Sequence, residues 1–167
     1  MMNYKILTDS ACDIPFEMLE ENNVDVIGLV VNYNGKDYVE DNWKSIDVDT
    51  YYSSLKEGAT PTTSQITPNR FYDFFKPYLD QEQDILYVGF SSSLSGTFGA
   101  ANIAKGMLLE EYPLRRIELI DTMSASAGVG LLVLTAAGMQ KDGKSMDEIT
   151  AHLENLKYKI NHIFTVD

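Results

Sequence analysis

"DILYVGFSSSLSGT", residues 84–97, passes in one step from an apolar strand to a loop of hydroxyls. Ser95-Gly96-Thr97 then stands where a helix should open, from about Ser95. A short apolar strand, a polar turn and a helix form the repeating unit of a mostly parallel α/β sheet. The unit recurs in both directions along the chain. "YKILTD" (4–9) reads as a first strand, followed by Asp13 as a cap and Pro15 just inside a helix that fades near Asn22 and Asn23. "VDVIGLVV" (24–31) reads as one strand, and Asn34-Gly35 between Tyr33 and Tyr38 predicts a hairpin. Asp47 to Glu57 has the pattern of a helix that stops at Gly58.

Thr67 and Pro68 cap and open a helix through Asp80. Its Phe71, Phe74, Phe75, Tyr78 and Leu79 share one face. Beyond the central unit, "RIELID" (116–121) is a further strand, and the Ala-rich run at 123–139 reads as a buried helix. Ser145 with Glu148 predicts a capping box for a helix to about Tyr158. "HIFTVD" (162–167) has the pattern of a strand that begins as the chain stops. The expected fold class is therefore α/β, a mostly parallel sheet with helices on both faces.

At 167 residues the chain has room for one domain with a full core. Its formal charge of −12 comes without any run of Lys or Arg, which excludes a nucleic-acid footprint and an electrostatic hold on anionic membranes. Cys12 is the only cysteine, so no internal disulfide can form, and a reducing, cytoplasmic setting is expected. The start of the chain does not have the pattern of a signal peptide, and the longest apolar run is too short and too rich in small residues for a transmembrane helix.

Hydroxyls concentrate in two places. "TPTTSQITP" (60–68) carries five of them in nine positions, and "SSSLSGT" (91–97) carries the second cluster. In open parallel sheets ligands sit beyond the carboxyl ends of the strands. A helix N-terminus edged with hydroxyls there suits an anion, whereas Ser95 alone would be a plain N-cap. "GMQKDGKS" (138–145) satisfies the spacing of a nucleotide-binding P-loop, but a helix precedes it and only 22 residues follow Ser145, so it reads as a helix-to-helix connection. A serine nucleophile would need His152 or His162 as its base, and "FSSSLSG" lacks the first glycine of a nucleophile elbow. One Cys and two distant His give no metal-ligand spacing. A carboxylate held by neutral hydroxyls and amides fits the clusters best, with the aromatic face of residues 71–78 as either core or one wall of an apolar slot.

"ILTDSACDIP", "PTTSQITP", "SSSLSGTFGAA" and "IDTMSASAGVGLLV", in this order and spacing, resemble the DegV family of bacterial fatty-acid-binding proteins. The resemblance implies the N-terminal α/β domain of a two-domain fold, here residues 1–160, with 161–167 starting a strand of a second domain that is absent. It implies a protein that is not an enzyme and needs no cofactor. Such a protein carries a long-chain fatty acid for a partner kinase, which phosphorylates the acid's carboxylate. By matching positions Thr63 and Ser95 are the first candidates for holding the carboxylate, with Thr62, Ser64 and Ser92 beside them. Where the family usually has a proline after "TSQ", this chain has Ile66, which implies a less rigid loop. An exposed inter-domain face implies self-association. Two other readings remain open, a small serine hydrolase or acyl transferase using Ser95 or Ser92, and a truncated fragment without ligand.

Overall fold

The structure, a computed structural model, describes residues 3–163. Four short parallel strands form its centre: β1 (Tyr4–Asp9), β2 (Val24–Ile27), β6 (Asp84–Gly89) and β7 (Ile117–Asp121), in the order β2-β1-β6-β7. Parallel neighbours need crossover connections, and here these are helices that cover both faces of the sheet. On one face α1 (Phe16–Glu21), α5 (Ala127–Lys141) and α6 (Met146–Leu156) bury Leu19, Leu132, Val133 and Leu153 against Ile6, Leu86 and Val88. On the other, α3 (Pro68–Asp80) and α4 (Thr97–Glu111) bury Phe71, Phe75, Ala104 and Leu108 against Leu7, Ile85 and Tyr87. The strands therefore read as near-continuous apolar runs, because neither face of the sheet meets water. Each such fully buried side chain contributes about 1.5–3 kcal/mol by leaving water. The expected doubly covered α/β sheet is the observed one.

A second, smaller sheet lies beside the first. Residues 24–31 do not form one strand. Gly28 breaks the run, β2 ends in the central sheet at Ile27, and Val30–Tyr33 starts a separate strand, β3. The break requires glycine, since a Cβ at position 28 would lie 2.2 Å from the Glu40 carbonyl oxygen. Glu40 is held there by its own N–H, which donates to the Leu29 carbonyl at 2.8 Å. β3 pairs with β4 (Lys36–Val39) through the expected hairpin, with Asn34 and Gly35 at φ 53° and 74°. Its other edge pairs with β5 (Thr62–Ser64), giving the antiparallel order β4-β3-β5. The sequence predicts a loop over this hydroxyl segment, and hydrophobic periodicity cannot show otherwise because all three β5 residues are polar and exposed. α2 (Val48–Lys56) is capped by Asp47, whose carboxylate accepts the Thr50 N–H at 2.8 Å, and it ends before Gly58 as expected.

Smaller expectations shift. Asp13 does not cap α1; it stands left-handed, at φ 50°, at the end of a 3-10 turn (Ser10–Cys12), and Pro15 occupies the cap position without a side-chain bond. The capping box of α6 is complete in both directions. Residues 138–144 lie at the end of α5 and in the turn to α6, so the P-loop-like pattern is a helix-to-helix connection. The strand expected over 162–167 lies for its last four residues outside the described residues, and Asn161 to Ile163 have no regular structure.

Candidate functional site

Because β1, β6 and β7 are parallel, Asp9, Gly89 and Asp121 end at one rim. β1 is followed by β2 on one side and flanked by β6 on the other. The rim between β1 and β6 is thus where the direction of winding reverses, the usual place for a crevice in an open α/β sheet. Two carboxylates set the loops that leave this rim. Asp9 is buried, and its Oδ2 accepts the Tyr87 hydroxyl at 2.5 Å and the Phe90 N–H at 2.9 Å, while Oδ1 accepts the Ala11 N–H at 3.1 Å. Burial pushes its pKa up, against these hydrogen bonds, which pull it down. Asp121 accepts the N–H of Ser92 at 3.2 Å and of Met123 at 3.1 Å, so the end of β7 steers the loop after β6.

The loop after β6 is then folded by its own serines. The Ser91 N–H donates to the Ser124 carbonyl, and the amides of Leu94 and Ser95 both return to the Ser91 carbonyl. Ser95 Oγ accepts the Thr97 N–H at 3.2 Å and donates to Thr97 Oγ1 at 2.9 Å. Gly96 already has helical dihedrals, φ −68° and ψ −4°, so Ser95 does the work of an N-cap although regular helix begins at Thr97. Ser92 is exposed, with its hydroxyl free to face solvent.

Thr97 joins the two hydroxyl segments. Its Oγ1 accepts the Ile66 N–H at 3.3 Å in a buried bond. The Gln65 side chain lies against Gly96, so close that a Cβ at 96 would sit 1.9 Å from Gln65 Oε1. "TSQ" and "LSG" therefore meet at the carboxyl rim. Thr62, Thr63 and Ser64 all stand exposed on β5, and strand alternation puts Thr63 on the face opposite Thr62 and Ser64. Sequence reasoning gives no separate role to Thr97 or Gln65, whereas Asp9 and Asp121 are the strand-end carboxylates it expects. A hydroxyl two residues into "LSGT" was the available signal for Thr97, whereas the Gln65–Gly96 approach is a tertiary contact with no local signature.

Ile66 corrects an expectation. It is fully buried among Phe71, Phe75 and Tyr87, and its N–H makes a bond that proline could not make. The loop is pinned at this point. The aromatic face of α3 is likewise core where it matters: Phe71 and Phe75 are fully buried, with Tyr87 at 5.3 and 5.8 Å between ring centroids. Only Phe74 and Tyr78 remain partly exposed, and the Tyr78 hydroxyl is bonded to Asp25. Arg70, in the first turn of α3, donates from Nη2 to the Gly28 carbonyl at 2.8 Å and ties this helix to the seam between the sheets.

Among the described residues no hydrogen bond links Ser92 or Ser95 to a histidine. His152 is exposed on α6, and the His162 ring packs against Gly128. Cys12 is buried, and burial pushes its thiol up to about 11, which leaves it unreactive at neutral pH. No group of three His, Cys, Asp or Glu among the described residues could hold a metal ion, and none of the described helices is long and apolar enough to cross a membrane.

Fold and rim together define an α/β protein of the open, doubly covered kind, with a hydroxyl-edged helix N-terminus at its winding reversal. The chain belongs to the DegV family: residues 3–167 match the family described as "Uncharacterised protein, DegV family". It is 42% identical over its whole length to a DegV domain-containing protein of Clostridium perfringens, of which it spans 57%. It is 34% identical over 99% of its length to one from Lactococcus lactis, again 57% of that protein. The chain spans about half the length of the relatives it matches. Among solved structures it resembles a DegV family protein from Thermus thermophilus described as binding a fatty acid (34% identity, TM-score 0.82, 94% of this chain and 54% of that one). It also resembles a stearic-acid-binding protein from Eubacterium ventriosum (28%, 0.82, 90% and 52%) and DegV of Bacillus subtilis, a fatty acid binding protein (30%, 0.78, 95% and 55%).

Proposed function

We propose that this chain binds the carboxylate end of a long-chain fatty acid at the rim formed by "TTSQ" and "SSSLSGT". Thr63 and Ser95 are the principal donors, Ser95 by turning its hydroxyl from Thr97 Oγ1 to the carboxylate, with Ser92 beside them and Thr62 and Ser64 on the other face of β5. The observation that carries the reading is the junction of the two segments, in which Thr97 Oγ1 accepts the Ile66 N–H and Gln65 rests on Gly96. That junction turns two stretches about thirty residues apart into one hydroxyl-rich edge beside a helix N-terminus. Similar folds that bind fatty acids support the choice of ligand.

Neutral donors suit such a ligand. They hold a carboxylate by charge-assisted bonds and leave it without a counter-ion, open to attack on a phosphoryl donor. The acid is presented to a partner kinase, and this chain is a carrier rather than a catalyst. A second domain, which the longer relatives have the length to contain, would close the apolar side of the tail.

The test is mass spectrometry on an organic extract of the purified chain, repeated after delipidation and incubation with a long-chain fatty acid. One acid per chain is the expected result. Thr63→Ala and Ser95→Ala should each lower affinity by roughly 10- to 150-fold, the equivalent of about 1.5–3 kcal/mol for a hydrogen bond to a charged group. A chain that takes up no fatty acid in either condition overturns the reading for residues 1–167. Stoichiometric labelling of Ser92 or Ser95 by a phosphonate probe would instead establish a hydrolase.

A further inference from the structure

The outer sheet carries a cleft that the carboxyl rim does not involve. Val31, Tyr38 and Val39 of the β3–β4 hairpin form one wall and Tyr51 and Tyr52 of α2 the other, with Glu40, Asp41, Trp43 and Ile46 between them. Its volume is about 260 Å³. That is below the range of drug-sized pockets, roughly 300–1,000 Å³, and suits a ligand of a few heavy atoms.

Three rings converge on it. Trp43 lies 5.4 Å from Tyr51 and 5.9 Å from Tyr52 between centroids, and Tyr51 and Tyr52 stand 5.7 Å apart at 87°. Tyr51 meets both other rings edge to face and Trp43 lies tilted on Tyr52, yet Trp43 stays 41% and Tyr52 52% exposed. A cluster kept only for packing would turn its largest ring inward. Here the backbone does the reverse. Asn42 and Trp43 are consecutive left-handed residues, at φ 61° and 63°, a conformation that is unfavourable for a bulky side chain. The segment is held in it by Asp41, which accepts the Ser45 N–H at 3.1 Å, and by the Asp47 cap of α2.

Two acids line the cleft, with two lysines at its edge. Glu40 and Asp41 line it and no Lys or Arg does, although Lys44 stands exposed on the same segment beside Asp41. Glu40 is half-buried; burial pushes its pKa up, Ser10 hydrogen-bonds to its carboxylate, and Asp13, Asp9 and Asp41 stand near it. With Glu40 and Asp41 in its lining, the cleft favours a cation over an anion. Lys36 already sets its ammonium 4.9 Å over the Tyr38 ring, the contact that a cationic ligand would make with the other rings.

We propose that this cleft binds a small organic cation free in solution, an alkylated ammonium of the choline type. Its methyl groups pack on Trp43, Tyr51 and Tyr52, and its charge is balanced by Glu40 and Asp41. Methylation favours this ligand over a primary ammonium because an alkylated ammonium gives up less hydration when it moves onto ring faces. The site is independent of the fatty-acid reading and shares no residue with it.

Trp43 is the only tryptophan in the chain, so its emission reports the cleft directly. The whole chain is titrated with choline and, in parallel, with the uncharged isostere 3,3-dimethylbutan-1-ol. The expected result is a saturable change in Trp43 emission with choline and affinity for the isostere weaker by about tenfold or more. Glu40→Gln and Tyr52→Ala should each weaken choline to a similar degree with the circular dichroism spectrum unchanged. Equal affinity for choline and the isostere overturns the proposal and leaves a plain apolar cleft. So does the absence of a saturable response to choline in both emission and calorimetry.

Discussion

The central sheet and the outer sheet use similar apolar side chains under opposite conditions. In the centre, Ile6, Leu7, Leu86 and Val88 are fully buried, because helices cover both faces of a parallel sheet. In the outer sheet Val39 is 52% exposed, and its single helix, α2, buries no residue completely. Short antiparallel strands need no crossover helices, so only one side of the outer sheet is covered, by aromatic edges. Stability therefore concentrates in the centre, while the outer sheet leaves hydroxyl and aromatic side chains open to solvent. The proposed carboxylate site spans the two, with Thr63 on the outer sheet and Ser95 on the central unit.

The comparison would break first at the cores. Phe75→Ala removes a fully buried ring in contact with Phe71 and Tyr87. It should cost about 3–5 kcal/mol in urea unfolding. A loss under 1 kcal/mol would mean that the centre is not the stabilising region. Gly28→Ala tests the seam. Its Cβ would meet the Glu40 carbonyl, a backbone atom that cannot rotate away, so the strands must part at about 1–3 kcal/mol. A variant as stable as the parent would show that the two sheets are only loosely registered.

The pH dependence sharpens the picture at the rim. The folded pKa of Asp9 is raised above its unfolded value by burial. Its contribution is therefore fully present below the unfolded pKa, near 3.9, and is lost as pH rises through the folded one. The stability advantage of the parent over Asp9→Asn should be largest in acid and shrink toward neutrality, as measured by unfolding midpoints at a series of pH values. An advantage that grows with pH would mean that the carboxylate is stabilised as an anion. Glu148, held at about 2 by the Ser145 amide and Lys144, titrates in the opposite sense and provides the internal control. The smallest effect should come from Tyr52→Ala, within about 0.5 kcal/mol of the parent, since the ring is half exposed. A larger loss would show that α2 is anchored through this ring.

Much of this was legible from local chemistry. The strands read at 4–9, 84–90 and 116–121 announced themselves as apolar runs, Asn34-Gly35 as a hairpin, Thr67 and Ser145 as caps. Each of these signals is confined to a few neighbouring residues. The errors fell where local and tertiary preferences part. "VDVIGLVV" is uniformly apolar, so nothing in it reveals that Gly28 divides it between two sheets until Glu40 closes over that glycine. "TTS" has no apolar alternation because β5 is exposed, and its strand character comes from pairing with β3.

By itself the sequence determined the family and the fold class, since turn, cap and hydroxyl residues act over a few positions. Only the tertiary structure decided that Ile66 and Thr97 lock two distant loops together, that Asp9 and Asp121 hold the rim, and that Trp43 is turned outward over an acidic cleft. Those arrangements depend on contacts between residues far apart in the chain, and close packing, not local propensity, selects which of them meet.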